Sequence, residues 1–191
     1  LDLASALNCL DESKPCGNCR SCTRIADKLH ADVQIVGLDS EKQSLEQGGV
    51  SIKIDHIRNL KKESSLKPFE GQYRVFILDG IEDMKEEASN SLLKILEEPP
   101  QKSLILLISN KNSKVLSTLK SRCSILKFSP LKQDECKNIL KYTLPDLAEK
   151  TMERLLILSN GSPGKAVNIY NSNGLELYSD IVKLFLQIGR A

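Results

Sequence analysis

Two short runs of unbroken apolar residues stand out along this chain. Val75-Phe76-Ile77-Leu78 ends at Asp79, and Leu104 to Ile108 ends at Ser109-Asn110. Runs of this length without polar alternation suit strands buried on both faces of a parallel sheet. Between them the period changes to that of a helix. Met84, Ala88, Leu92 and Ile95 fall on one face, and Pro99-Pro100 stops the pattern. Parallel strands joined this way bring Asp79 and Asn110 (or Ser109) to one sheet edge, where α/β folds bind ligands. The pattern predicts a nucleotide site, or what is left of one.

The same reading extends over the rest of the chain. It predicts a helix ending near Asn8, a helix from about Arg20 to Leu29 and a strand from Val33 to Val36. A polar loop with Gly48-Gly49 then leads to a helix over about 55–65. After the central strand–helix–strand come a short helix over 113–120 and a strand from Ile125 to Phe128. This alternation predicts an α/β fold, a parallel sheet flanked by helices. Beyond Pro130 the strands cease. Residues 132–142, 146–158 and 164–171 read as short amphipathic helices, and 174–189 begins another. The domains follow as 1–129 for the sheet, 130–172 for a small all-α domain, and 173–191 for the start of a further helix.

Composition narrows the function classes. The chain has 191 residues and a formal net charge of +2, no Trp and 4% aromatic residues. That charge argues neither for nor against nucleic acid, but stacking platforms for single strands are scarce. No apolar run approaches the roughly 20 residues that span a bilayer. Leu1-Asp2-Leu3-Ala4 has neither a basic segment nor a signal-peptide core, and reads as the middle of a helix rather than a natural start.

The cysteines change the picture more. Cys9, Cys16, Cys19 and Cys22 follow the spacing C-x6-C-x2-C-x2-C, with Pro15, Gly17 and Asn18 supplying turn chemistry. Four thiolates in C-x-x-C turns fit one tetrahedral zinc. A pair of disulfides fits poorly, because neighbouring C-x-x-C units are too close to pair well. Cys123 and Cys136 read as buried apolar residues.

Several segments together carry a family resemblance. They are Ala6-Leu7-Asn8-Cys9 with the cysteine quartet, His30-Ala31-Asp32-Val33, and Ile54-Asp55-His56-Ile57-Arg58-Asn59-Leu60. The most specific are Ser91-Leu92-Leu93-Lys94-Ile95-Leu96-Glu97-Glu98-Pro99-Pro100 and Ser121-Arg122-Cys123. The chain resembles clamp-loader subunits of bacterial DNA polymerase III, of the delta-prime type, within the AAA+ superfamily. The resemblance implies an AAA+ sheet with a zinc-binding loop and a helical lid, leading into a collar helix. It implies a cytoplasmic hetero-pentamer of clamp-loader subunits that places a sliding clamp on primed DNA, with no membrane partner. Within it, Arg122 would act in trans as an arginine finger on ATP held by a neighbouring subunit. Asp79 and Asn110 would mark a degenerate nucleotide site.

The sequence departs from a hydrolysing member in three places. No G-x-x-x-x-G-K-[ST] occurs in it. Gly80 stands where the resemblance puts a catalytic Glu, and Glu82, two residues on, points elsewhere. Gly164, in the Gly161-Ser162-Pro163-Gly164-Lys165 turn, stands where a sensor arginine belongs. The reading is therefore a non-catalytic subunit, with two alternatives. One is an ATP-hydrolysing gamma/tau-type subunit, and the other is a zinc-ribbon nucleic-acid-binding protein. Plainer roles weigh against single residues. Asp79 reads equally well as a cap of the following turn. Arg58 reads as a surface residue, and His30 and His56 as helix-end and surface residues. Lys61, Lys62 and Lys67 belong to solvated faces.

Overall fold

The computed structural model describes residues 1–37 and 52–188; the Gly48-Gly49 loop lies outside them. The chain divides into two compact units, Leu1–Ile125 and Leu126–Ala191.

The first unit runs α1 (Asp2–Asn8), α2 (Arg20–Ala26), β1 (Val33–Val36), α3 (Ile54–Ser64), β2 (Arg74–Asp79), α4 (Glu86–Glu97), β3 (Ser103–Ile108) and α5 (Ser117–Lys120). Its strands form a parallel sheet in the order β1-β2-β3. Val33 pairs with Val75, and at the other end Asp79 pairs with Ile108. The central strand is buried from Arg74 through Leu78, as its unbroken apolar run requires.

The two-residue period of β2 divides the core. Phe76 and Leu78 face Ile57 and Leu60 of α3 and Leu92 and Ile95 of α4. Val75 and Ile77 face the other way, onto Ala4 of α1 and Ile25 of α2. Each fully buried Leu or Ile stabilises the fold by about 1.5–3 kcal/mol relative to exposure. The helix α4 therefore carries its apolar stripe inward and its charges outward. It ends at Glu98, whose backbone leaves helical geometry directly before Pro99.

The predicted strand from Ile125 to Phe128 does not form. Residues 124–130 have no regular structure, and Leu126 and Phe128 are 79% and 93% exposed. A strand needs a neighbour for its backbone groups. Among the described residues, β3 pairs with β2 alone, so the sheet ends there. The predicted helix over 113–120 resolves into a 3-10 turn, Asn112–Lys114, followed by the single helical turn of α5.

The second unit is helical among its described residues. It comprises α6 (Gln133–Thr143), α7 (Glu149–Ser159), α8 (Pro163–Asn171) and α9 (Gly174–Ile188). Cys136 and Leu140 of α6, Met152, Leu155 and Leu156 of α7 and Ala166 of α8 form its core. The local chemistry sets the α7–α8 corner. Asn160 takes the left-handed conformation that ends α7. Ser162 then caps α8 by accepting the Lys165 N–H at 3.4 Å, with Pro163 in the first turn.

Candidate functional site

Four constellations sit on the first unit. The cysteine quartet lies between α1 and α2. Its four sulfurs all fall within 4.8 Å of one another, with Cys9 3.6 Å from Cys16 and 3.9 Å from Cys19. Tetrahedral zinc with metal–sulfur bonds of about 2.3 Å needs sulfurs about 3.8 Å apart, so the spacing fits. The turn is built for anionic sulfur. Backbone N–H groups of Asp11, Cys19 and Cys22 donate to Cys9, Cys16 and Cys19 at 3.3–3.5 Å. Gly17, between two of the ligands, has φ +78°, which a side chain would make costly.

Charge is distributed unevenly over the four thiols. The N–H groups of Leu10 and Cys22 bring Cys19 down to about 6. Cys9 is lowered by the N–H groups of Cys16 and Asp11. Burial pushes Cys22 up to about 12. A cation at the centre would resolve this tension by stabilising all four thiolates together.

The second constellation is the C-terminal edge of the sheet. The Gly80 N–H donates to the Ile108 carbonyl at 3.1 Å, and Gly80 then turns left-handed with φ +82°. The chain enters a 3-10 turn, Ile81–Asp83, and Glu82 folds back across the strand ends. Glu82 Oε1 accepts the Asn110 N–H at 3.2 Å. Burial works against its charge, but its own N–H, the Ser109 hydroxyl, the Asn110 N–H and Lys111 outweigh that and lower its pKa. The edge thus brings Asp79, Glu82, Ser109 and Asn110 together. One oxygen of the Glu82 carboxylate braces the loop after β3, while the other, Oε2, is buried without a hydrogen-bond partner.

The third is Arg122, just past α5. Its Nε and Nη2 donate to Oε1 of Glu97 at 2.9 and 2.6 Å. Its Nη1 donates to the Thr118 carbonyl at 3.1 Å and to Ser121 Oγ at 3.3 Å. The arginine side chain keeps 34% of its surface, and that of Glu97 keeps 50%. Cys123 behind it is half-buried, and burial raises its thiol.

A fourth group joins the cysteine module to the sheet, and sequence reading had given it no role. Asp32 is enclosed and accepts the N–H groups of Phe69, Glu70 and Gly71 at 2.7–2.8 Å. Asn8, immediately before Cys9, accepts from Gln72 and Tyr73 and donates to the Tyr73 carbonyl. His30 is buried rather than a surface residue, correcting the expectation. Its Nδ1 accepts the Asp32 N–H at 3.1 Å, which places the neutral ring's hydrogen on Nε2, facing Ser21 Oγ at 3.1 Å. Ser21 therefore receives a hydrogen bond and gains no base, so the trio is structural. The residues that could have signalled it, Asn8 and His30 to Asp32, lie beside short apolar runs. Nothing local in the sequence names partners near residue 70.

Arg58 pairs with Asp55 at 3.0 Å on the surface of α3, and His56 Nδ1 accepts the Lys53 N–H where that helix begins. Lys61, Lys62 and Lys67 are exposed.

The first unit is a parallel sheet flanked by helices, with Asp79 and a polar tip after β3 at its C-terminal edge and a four-thiol module ahead of it, an AAA+-like fold. The solved structures agree. A DNA polymerase III gamma-subunit-related protein from Thermotoga maritima superposes with TM-score 0.53 at 24% identity, over 76% of this chain and 47% of that one. A RuvB mutant from the same organism superposes with TM-score 0.51 at 18% identity, over 76% and 46%. At these identities the likeness is one of fold.

Residues 1–132 match the family of the DNA polymerase III delta subunit, and the chain belongs to that family. Its relatives include delta' and gamma/tau subunits. It is 31% identical to DNA polymerase III subunit delta' of Bacillus subtilis over 185 residues, which is 96% of this chain and 53% of that protein. It is 32% identical to the delta' subunit of Pseudomonas aeruginosa, over 88% of this chain and 49% of that one. The gamma/tau subunit of Mycobacterium bovis is 35% identical over 63% of this chain and 20% of its own length. The chain thus spans about half the length of the delta' subunits it matches.

No helix among the described residues is long and apolar enough to cross a membrane.

Proposed function

We propose that this chain is the AAA+ part of a non-catalytic clamp-loader subunit of the delta-prime type. Its task is to complete the ATP site of a neighbouring subunit, within a complex that sets a sliding clamp on primed DNA. The observation that carries this reading is the contrast between two sites on one domain. At the strand edge, Gly80 leaves no carboxylate to prepare water, and Glu82 is engaged with the loop after β3. Past α5, a guanidinium is held at the surface by a carboxylate and a carbonyl. A fixed, exposed guanidinium stabilises charge developing on a transferred phosphate, and such fingers contribute about 10³–10⁵ in turnover.

Cys9, Cys16, Cys19 and Cys22 would hold a structural zinc, which ties the α1–α2 loop together and offers no open position for chemistry. The second helical unit corresponds to the lid of the family. There Gly164, in the first turn of α8, offers no cation to a phosphate. ATP would be bound by the neighbour, and Asp79 and Asn110 are the remnant of a site in this subunit.

The likeness to a gamma/tau subunit supports a hydrolysing alternative, and one experiment separates them. The complete subunit is purified and assayed alone, then reassembled with its partners. The proposed reading expects background hydrolysis alone, and in the complex a loss of about a thousandfold at the adjacent site for Arg122→Ala. Robust turnover by the isolated subunit, abolished by Asp79→Ala, would establish the alternative instead.

A further inference from the structure

The guanidinium of Arg122 has two bidentate edges, and this chain treats them differently. The side edge, Nε with Nη2, is closed by a single oxygen, Oε1 of Glu97. Nη1 meets the Thr118 carbonyl and Ser121 Oγ. Those two acceptors are themselves joined, because the Ser121 hydroxyl donates to the Thr118 carbonyl at 3.0 Å. They therefore lie close together around Nη1. The second N–H of Nη2, which faces the end edge between Nη1 and Nη2, makes none of these contacts, on a side chain that keeps a third of its surface.

We propose that Glu97 is a positioning residue for Arg122. Its carboxylate holds the side edge of the fork so that the end edge is presented to a phosphate across the subunit interface. The inference rests on the reading of Arg122 as a finger acting in trans, and deepens it.

Three features support it. The pair joins residues 25 apart in sequence, the end of α4 to the turn after α5, so two elements must be in place for it to form. It is exposed, and exposed ion pairs add little to folding. Its contribution is therefore sought in geometry rather than in stability. A free arginine also has many rotamers, and each must be given up when it clasps an anion. A fork already held on one edge and at Nη1 has given them up beforehand. The turn chemistry of Ser121-Arg122-Cys123 also becomes intelligible: the serine hydroxyl is one of the three acceptors that fix the fork.

The test uses the complete subunit reassembled with its partner subunits, and measures DNA-stimulated ATP hydrolysis with Glu97→Ala, Glu97→Gln and Arg122→Ala. Loosening the fork should lower kcat about tenfold in Glu97→Ala, with KM for ATP and the melting temperature little changed. Glu97→Gln should restore most of the rate, because its amide oxygen accepts the same two N–H groups. Three results overturn the proposal: Glu97→Ala at the wild-type rate, Glu97→Ala faster than wild type, or no rescue by glutamine. The second would mean that the glutamate restrains the finger, and the third that its charge alone matters. The two layers separate cleanly. If Arg122→Ala leaves hydrolysis unchanged, the finger reading itself falls. If Arg122→Ala is slow and Glu97→Ala is normal, only the positioning role falls.

Discussion

The carboxylate of Asp32 is fully enclosed and lies 3.6 Å from Nε of Arg74, on the strand beside it. Both residues belong to the seam where the cysteine module, β1 and the turn before β2 meet. Asp32 takes the N–H groups of Phe69, Glu70 and Gly71, and Arg74 continues to the Lys67 carbonyl and Glu63. The seam decides how firmly the cysteine loop is joined to the sheet.

Asp32→Ala should cost about 3 kcal/mol, because it leaves several N–H donors and one cation without their acceptor. Chemical denaturation of the wild type and variant measures it. The pH dependence has a definite sign. Burial raises the carboxyl's pKa, but the N–H groups of Phe69, Gly71 and Glu70, and then Arg74, overcome this and lower it below the usual carboxylate value. A lowered folded-state pKa gives stability that is complete above the unfolded value of about 4 and is lost as pH falls through the folded value. Denaturation midpoints measured below pH 4 should fall for the wild type more steeply than for Asp32→Ala.

Metal analysis of protein purified under reducing conditions should give one zinc per chain, and Cys16→Ser should abolish stoichiometric binding. Chelation should loosen residues 9–22 while the sheet persists, since the strands lie outside the loop. Hydrogen exchange reads this directly: protection should be lost around Cys16 to Cys22 and kept in β2. Loss of protection throughout β2 would show that the metal holds the sheet as well.

Glu82→Ala should destabilise the first unit by about 1 kcal/mol, the net value of a lost hydrogen bond. It should also raise amide exchange at Asn110 and Lys111. Glu82→Gln should be close to neutral, because its oxygen can still accept the Asn110 N–H. In the wild type, the lowered pKa of Glu82 means its contribution fades as pH falls below the usual carboxylate range. Amide exchange at Asn110, compared at pH values on either side of that range, would detect the release.

Leu155 lies at the centre of the helical unit and is fully buried. Leu155→Ala should cost about 2–5 kcal/mol through lost burial and a cavity. Its effect should appear as early loss of helical signal in thermal melts, with β2 amides still protected. Simultaneous loss of both would mean that the two units unfold as one.

Much of this was legible from residue order. The apolar runs of β2 and β3 form the strands expected of them, but only β2 is buried; β3, at the edge of the sheet among the described residues, stays half-exposed. The cysteine spacing brought four sulfurs together, and the helix expected over 164–171 forms as α8. What stayed hidden has one physical cause: the partners lie far apart in sequence. Asn8 meets Tyr73, Asp32 meets Gly71, and Glu97 meets Arg122. A buried histidine cannot be told from an exposed one when its acceptor role depends on a backbone N–H two residues away, as for His30. The strand expected at Ile125–Phe128 failed for a related reason. An apolar run states what a segment would bury, but not whether a neighbour stands beside it.

The left-handed turn at Gly80 bears on how such a domain could change over generations. Placing a glutamate there would not by itself build a hydrolytic site. A side chain at φ +82° costs about 1–2 kcal/mol in backbone strain. The carbonyl and carboxylate contacts of the following turn also fix where the chain goes next. The backbone would have to straighten and Glu82 would have to release the loop after β3, and each step is unfavourable without the other. A side chain at position 80 and the brace made by Glu82 are therefore coupled, and a change at one codon alone meets the strain without the release.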